Sequence, residues 1–117
     1  MAYQRLVKKM TIENLWMYIL RLLVEKPMYG GEIIQALRER FGIKSAAVTI
    51  YVVLYRMERE GLIKKVKEDK KRGKRDGRAY YKPTIKGIKT LEQGLEFIKS
   101  TYMKLQVGEK DVNEIQR

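Results

Sequence analysis

The sequence predicts a mainly α-helical fold with one small β-hairpin (α+β), built as a single domain. Its length of 117 residues is that of one domain. Four segments carry apolar residues at alternating spacings of three and four, which is the period of an amphipathic helix. After Gly61, two short alternating segments flank a run of charged residues and glycines, a pattern typical of a hairpin. The predicted order is three short helices, the hairpin and a long last helix.

The composition excludes several classes of enzyme and metal protein. The chain has no cysteine and no histidine, so zinc fingers, Cys/His nucleophile pairs and Ser/His/Asp triads cannot form. Most acidic residues stand near Lys or Arg on helix surfaces, where solvated ion pairing is usual. We therefore expect a protein that is not an enzyme and holds no metal or cofactor. Because neither a long apolar run nor a signal peptide is present, we also expect it to be cytoplasmic and not membrane-bound.

Positive charge is concentrated in one part of the chain. The formal net charge is +12, and residues 64–89 alone contain 12 basic and 3 acidic residues. A local field of this kind favours a polyanionic partner, whereas solubility alone needs only interspersed charge. A solvated lysine-rich surface is the alternative interpretation.

Residues 1–10 form an amphipathic extension, in which Tyr3, Leu6, Val7 and Met10 share a face. We expect that face to pack beside the last helix.

The first two helices of the domain are predicted over residues 11–26 and 32–41. The first has Thr11 as a plausible N-cap and Pro27 beyond its end, and the second stops at Gly42 after a turn signal at "MYGG". The core face of the first helix is predicted to contain Ile12, Leu15, Trp16, Ile19, Leu22 and Leu23.

A third helix is predicted over residues 45–60, and its two faces differ in character. The core face is predicted to contain Ala46, Ile50, Val53, Leu54 and Met57. The opposite face mixes small, methyl-bearing and cationic residues, which suits neither a core nor plain solvent. It contains Ser45 as the expected N-cap, Val48, Thr49, Val52, Arg56 and Arg59, with Tyr51 and Tyr55 beside them. We expect this face to contact a partner, although packing against the first two helices is an equal alternative for the tyrosines.

The hairpin is predicted from "LIKKVKE" and "RAYYKPT", and its tip is strongly basic. The basic residues of the tip are Lys70, Lys71, Arg72, Lys74, Arg75 and Arg78. Three helices followed by such a hairpin predict a winged helix-turn-helix domain over residues 11–83. In that architecture the third helix lies in the major groove of double-stranded DNA, and the hairpin reaches the backbone or the minor groove.

The last helix, over residues 84–107, carries a narrow apolar seam at heptad spacing. The seam contains Ile88, Leu91, Leu95, Ile98, Tyr102 and Leu105. A seam this narrow favours a partner helix from a second subunit over packing within the chain, so we expect a dimerisation helix. The remaining residues, 108–117, are polar and are expected to form a frayed tail.

Three segments resemble the PadR family of transcriptional regulators: "PMYGGEI" at 27–33, "TIYVVLYRMEREGLI" at 49–63 and "GRAYYKPTIKG" at 77–87. The resemblance implies a homodimeric DNA-binding regulator, often a repressor that a small molecule or a stress signal releases. Three positions depart from the family pattern. Val52 stands where Pro is common, Gly31 stands where an aromatic is usual, and Pro83-Thr84-Ile85 replaces Leu-Thr-Glu.

On DNA, the outward face of the third helix has a chemical role for each side-chain type. Valine methyl groups can contact thymine methyls, hydroxyls can bond bases or phosphates, and arginines can reach phosphate or guanine. A dimer then predicts a pseudopalindromic operator.

The alternative function is a basic winged helix that binds RNA or the ribosome without operator preference. The identity of any small-molecule effector stays open: Trp16, Phe97, Tyr102 and Met103 either line a cavity at the dimer centre or, as we expect, pack in the core.

Overall fold

The computed structural model describes residues 1–66 and 78–117 of the chain. The helices are α1 (Ala2–Met10), α2 (Leu15–Glu25), α3 (Gly30–Phe41), α4 (Ala47–Arg59), α5 (Ile85–Leu105) and α6 (Glu109–Gln116), with a 3-10 turn at Ile12–Asn14. The strands are β1 (Met28–Tyr29), β2 (Ile63–Val66) and β3 (Tyr80–Pro83). Helices α2 to α4, the small sheet and the long α5 confirm the predicted fold class, a winged helix-turn-helix followed by a long C-terminal helix.

Helix α2 is the centre of the core. Five of its eleven residues are buried, namely Leu15, Ile19, Leu20, Leu22 and Leu23. They pack with Ile33 and Leu37 of α3 and with apolar residues of α4, so α2 is covered on most of its circumference. The prediction that Ile12 joins this face was wrong, because the first turn is a 3-10 turn and Ile12 stays exposed.

The start of the first helix also differs from the prediction. Thr11 does not cap α2, because its hydroxyl donates to the carbonyl oxygen of Val7 at 2.6 Å and so closes the end of α1. The α-helix proper begins four residues later, at Leu15.

The turn between α3 and α4 sets where α4 begins. Gly42 takes a left-handed conformation at φ 66°, and its N–H donates to Arg38 O at 3.0 Å. The following Ile43 donates to Leu37 O at 3.0 Å and turns its side chain into the core. The chain therefore reaches α4 later than the sequence predicted. Ala46, and not Ser45, is the N-cap of α4, and Ala46 is exposed instead of joining the core.

The sheet has three antiparallel strands in the order β1-β3-β2. Val66 of β2 and Tyr29 of β1 both pair with Tyr80 of the central strand. The sequence indicated only a turn at Met28 and Tyr29, so β1 is an additional strand. It ties the start of α3 to the base of the hairpin.

Helix α5 starts at a tight junction with the end of α4. The Thr84 hydroxyl accepts from the N–H of Gly87 at 2.9 Å and donates to Gly61 O at 2.5 Å. The backbone N–H of Thr84 donates to Leu62 O at 3.0 Å. These bonds fix the direction in which α5 leaves the domain, and α5 then packs along α2.

The two ends of the chain form short helices. In α1 the side chains of Tyr3, Leu6 and Val7 are exposed. Of the predicted face only Met10 approaches the last helix, since it lines one open pocket with Leu91 and Leu95 of α5. Where we expected a frayed tail, the chain instead forms α6. Among the helices of residues 1–66 and 78–117, none is long and apolar enough to cross a lipid bilayer.

Candidate nucleic-acid interface

Helix α4 presents a face to solvent that carries unusually many apolar groups. Ile50, Leu54 and Met57 are buried in the core, and their positions turn the opposite side of the helix outward. On that side Val48 is 74% exposed and Val52 is 46% exposed. We call the exposed residues the outer face of α4: Val48, Thr49, Val52, Tyr55, Arg56 and Arg59.

Within the outer face, the residues differ in position. Val48, Val52, Tyr55 and Arg59 follow one another at helical spacing along the outermost line, with Thr49 and Arg56 on one flank. The Arg59 guanidinium lies over the Tyr55 ring, 5.7 Å from its centroid, which orients both side chains outward. Ser45 precedes the helix and is half-buried.

Tyr51 lies on the other flank of α4 and packs directly on the start of α3. A Cβ atom added to Gly30 would lie 2.5 to 2.7 Å from the end of the Tyr51 ring, so only a glycine fits beneath that ring. Tyr51 nevertheless remains exposed. Tyr51 therefore packs on α3, as one of the two interpretations had it, and its contact with a partner stays a prediction.

The base of the hairpin is held to the start of α3 by a stack of side chains. The Arg78 guanidinium lies 4.3 Å from the centroid of the Tyr29 ring, and the Tyr80 ring meets Tyr29 edge-on at 5.5 Å. A Cβ at Gly31 would lie 2.9 Å from the Tyr29 ring. Gly31, which stands where an aromatic is usual in the family, thus leaves room for the Tyr29 ring in this stack.

Three tyrosines and one arginine lie together where α3, α4 and β3 meet. Tyr29, Tyr51, Tyr81 and Arg78 line one open pocket there. Burial, followed by the nearby Glu58 and Tyr51, raises the pKa of Tyr81 above its ordinary value. A tyrosine phenol is protonated at neutral pH even at its ordinary pKa, so the Tyr81 hydroxyl can donate a hydrogen bond. This pocket also brings the base of the hairpin next to the outer face of α4.

Most of the predicted basic tip lies outside the described residues. This holds for Lys70, Lys71, Arg72, Lys74 and Arg75, whereas Arg78 is described and exposed. In the described part of the hairpin, Lys64 of β2 pairs across the sheet with Lys82 of β3, and Lys65 is exposed beside them. Cations thus continue along the strands towards the tip.

The seam of α5 is largely open to solvent in the single chain. Ile88, Leu95, Tyr102 and Leu105 are exposed, and Ile98 is half-buried. Leu91 differs because it is only 7% exposed and belongs to the core of its own chain.

Trp16 is half-buried, with its ring against Gly94. The expected core packing of Phe97, Tyr102 and Met103 was wrong, since all three are exposed.

Sequence reasoning missed several residues of the interface. Tyr29, Gly30 and Tyr81 were not predicted to belong to the candidate interface, and the pairing of β1 with β3 places Tyr29 beside the hairpin. The one available signal was the adjacent glycine pair after Tyr29, which we interpreted as a turn.

Comparisons with known proteins agree with this architecture. The family model described as the transcriptional regulator PadR-like family matches residues 19–93. A transcriptional regulator from Clostridium thermocellum is 30% identical over 77% of this chain and 84% of its own, with a TM-score of 0.65. A PadR family regulator from Clostridium difficile is 33% identical over 76% and 94% of the two chains, with a TM-score of 0.61.

A PadR-like regulator from Bacillus cereus is 30% identical over 81% of this chain and 93% of its own, with a TM-score of 0.63. A search of the curated proteins found no match. The chain therefore belongs to the PadR-like family of transcriptional regulators, which are DNA-binding proteins and not enzymes.

Proposed function

We propose that this regulator is a homodimeric repressor that binds a specific sequence in double-stranded DNA, with α4 in the major groove. The observation that carries this proposal is the outer face of α4, where two valines are exposed among hydroxyl and guanidinium groups. Exposed methyl groups on a helix can contact complementary apolar groups of a partner, and thymine methyls in the major groove supply such groups.

The chemistry of the outer face fits a base-reading surface. The major groove of B-DNA is about 12 Å wide and admits one α-helix. Val48 and Val52 lie on the outermost line, so they would meet the floor of the groove. Thr49 and Arg56 lie on one flank, from which a hydroxyl or a guanidinium can reach a base edge. Arg59 is at the end of the helix, where phosphate is the nearer partner.

The other flank of α4 fits the DNA backbone. Tyr51, Tyr81 and Arg78 line one pocket at the base of the hairpin. Hydroxyl donors and a guanidinium are groups that commonly contact phosphate oxygens. The basic tip of the hairpin would add affinity that is independent of sequence through release of counterions.

The exposed seam of α5 supports a dimer. Four of the six seam residues are exposed in the single chain, although apolar side chains gain free energy when they leave water. A two-fold dimer would present two copies of α4 about 34 Å apart, one turn of duplex, and so read a pseudopalindromic operator. Occupation of such an operator would block transcription, and a small molecule that alters the dimer could release it.

Two classes of substitution test the roles of the helix and the hairpin tip. Thr49→Ala or Arg56→Ala should relax sequence preference, at a cost of about 1–3 kcal/mol for each lost base contact. Lys74→Ala and Arg75→Ala, which rest on the sequence alone, should weaken binding to all DNA alike and reduce the salt dependence. The measurement is binding to operator and to scrambled duplex over a range of salt concentrations.

Identical specificity profiles for the two classes would contradict this division of roles. A structured RNA of equal length is the matched competitor. If it displaces the operator as well as duplex DNA does, the RNA-binding alternative is favoured.

Replacement of Gly30 by alanine tests the contribution of Tyr51. The added Cβ would overlap the Tyr51 ring, and the ring can swing away into solvent without disturbing the core. We expect operator affinity to fall by about 1 kcal/mol, the value of one hydrogen bond, with the fold retained. Tyr51→Phe, which removes only the hydroxyl, is the control and should produce a similar loss. If both variants bind as the unmodified protein does, Tyr51 does not contact DNA.

A further inference from the structure

The ring of Tyr29 lies beneath an arginine at the base of the hairpin. The guanidinium carbon of Arg78 is over the ring, 4.3 Å from its centroid. Tyr80 meets the same ring edge-on, with the two centroids 5.5 Å apart. Tyr29 is half-buried, whereas Arg78 is exposed. Tyr29 therefore joins the packed part of the domain to a cation on its surface.

Tyr29 is held in place by its backbone as well as by its ring. It pairs with Tyr80 across the sheet, and its N–H donates to Glu32 Oε1 of α3 at 3.3 Å. A Cβ atom at Gly31 would lie 2.9 Å from the ring, so the glycine leaves the space that the ring occupies. A tyrosine side chain also has only two torsions to fix. The ring is therefore a rigid platform that the chain itself fixes.

Arg78 has a longer side chain, and the platform restricts it. Fixing a long side chain at an interface costs free energy that is subtracted from the affinity. Attraction between a guanidinium and the face of an aromatic ring favours one position of the side chain before binding. The N–H donors of a guanidinium lie in its plane, so a ring beneath it does not use them. Stacking on Tyr29 thus orders Arg78 without using its donors to an anion.

The start of α3 places this cation beside the flank of α4. Tyr29 lies under Arg78, and the next residue, Gly30, lies under the Tyr51 ring of α4. Arg78 and Tyr51 line the same open pocket. Phosphate contacts fix the position of a protein on a duplex, and they can do so only if their distance from the base-reading helix is constant. A cation on a rigid platform beside α4 meets that condition.

We propose that Tyr29 is a positioning residue, whose ring holds the Arg78 guanidinium beside α4 where it meets a DNA phosphate. The inference rests on the proposed function, in which Arg78 contacts the DNA backbone, and it assigns a role to a side chain that acts through Arg78. Because phosphates carry no sequence information, the contribution of Tyr29 is the same for every duplex.

Two substitutions separate the ring of Tyr29 from its hydroxyl. Tyr29→Leu removes the aromatic face, and we expect DNA affinity to fall about fivefold, the effect of ordering one long side chain at an interface. Tyr29→Phe is the matched control, because it keeps the aromatic face and should bind as the unmodified protein does. An equal loss in Tyr29→Phe would mean that the hydroxyl itself contacts DNA, and would overturn the positioning role.

The measurement is titration of two duplexes, one enriched by selection from random DNA and one of scrambled sequence. Tyr29→Leu should weaken binding to both by the same factor, since the contact that it disturbs is to phosphate. A loss confined to the enriched duplex would mean that Tyr29 acts on base reading by α4, which contradicts the proposal.

A double-mutant cycle separates positioning from damage to the base of the hairpin. Arg78→Gln removes the guanidinium and should lower the logarithmic salt slope of binding by about 0.9, the effect of one phosphate. In that background Tyr29→Leu should have little further effect on affinity, because the group that it positions is already gone. An undiminished loss there would show that Tyr29 acts through the fold and not through Arg78.

The stack can also be observed in the protein without DNA. A guanidinium over a ring face is shifted upfield by the ring current, so we expect an upfield Arg78 Nε–H resonance in the unmodified protein and in Tyr29→Phe. In Tyr29→Leu the resonance should return to its usual position. An unshifted resonance in the unmodified protein would show that Tyr29 does not hold Arg78, and would overturn the proposal.

The outcomes distinguish this inference from the proposed function. If Tyr29→Leu binds both duplexes as the unmodified protein does, the positioning role is lost and the DNA reader stands. If the unmodified protein binds neither duplex, both are overturned.

Discussion

Replacement of Leu95 by glutamate is expected to convert the regulator into a monomer and to abolish tight binding to a full operator. Leu95 is exposed in the single chain and lies at the centre of the α5 seam, so the fold itself should tolerate a charge there. In the proposed dimer the same position is buried, once in each chain. An unpaired buried charge costs about 3 kcal/mol or more, which corresponds to a loss of at least about 100-fold in dimer affinity.

Sedimentation and operator titration would measure the two effects of this substitution. Gln93→Glu is the matched control, because it adds the same charge at an exposed position of α5 away from the seam. The variant should bind a half-site as the unmodified protein does, since the outer face of α4 is unchanged. An unaltered dimer in the Leu95→Glu variant would remove α5 from the interface.

Replacement of Gly87 by alanine is expected to be the most destabilising single methyl addition in α5. The new Cβ would lie 2.1 Å from the carbonyl oxygen of Leu62 and 3.1 Å from the Leu20 side chain. That oxygen also accepts the hydrogen bond from Thr84 N–H, so it cannot move without opening the junction between α4 and α5. Overpacking of this kind costs about 1–3 kcal/mol, which exceeds the gain of about 1 kcal/mol in helix propensity.

Gly94→Ala is the control for Gly87→Ala, because it adds the same methyl group to α5 without a clash against backbone. A Cβ at that position would approach the Trp16 ring at 3.2 Å, and a half-buried side chain can give by a few tenths of an ångström. We therefore expect Gly94→Ala to be near neutral. Urea unfolding at one fixed protein concentration measures both variants, because dimer stability depends on concentration. If Gly87→Ala unfolds at the same urea concentration as the unmodified protein, the close approach of α5 to Leu62 is not real.

The parts of this fold that depend on helical periodicity could be predicted from the sequence. The spacing of Ile50, Leu54 and Met57 indicated which side of α4 enters the core, and the buried positions agree. The outer face follows from the same period, so its exposure could also be anticipated. Gly42 marked the end of α3 correctly because a left-handed C-cap strongly favours glycine.

The parts that depend on contacts between distant residues could not be predicted. The two-residue strand β1 exists because Tyr29 and Met28 pair with β3, about fifty residues later in the chain. The fit of the Tyr51 ring on Gly30 likewise joins two helices, and nothing in the local sequence announces it. Ala46 was wrongly placed in the core, because it is the N-cap of α4 and is exposed. The assignment of Leu91 to a dimer seam overlooked its packing within its own chain.

The central claim is that the outer face of α4 reads base edges in duplex DNA as part of a two-fold dimer. Selection of bound sequences from random duplex DNA at physiological salt tests it most directly, because one experiment reports partner, specificity and symmetry together. The account predicts enrichment of a two-fold symmetric motif whose half-sites lie about one helical turn apart. Recovery of sequences with no shared motif would contradict it.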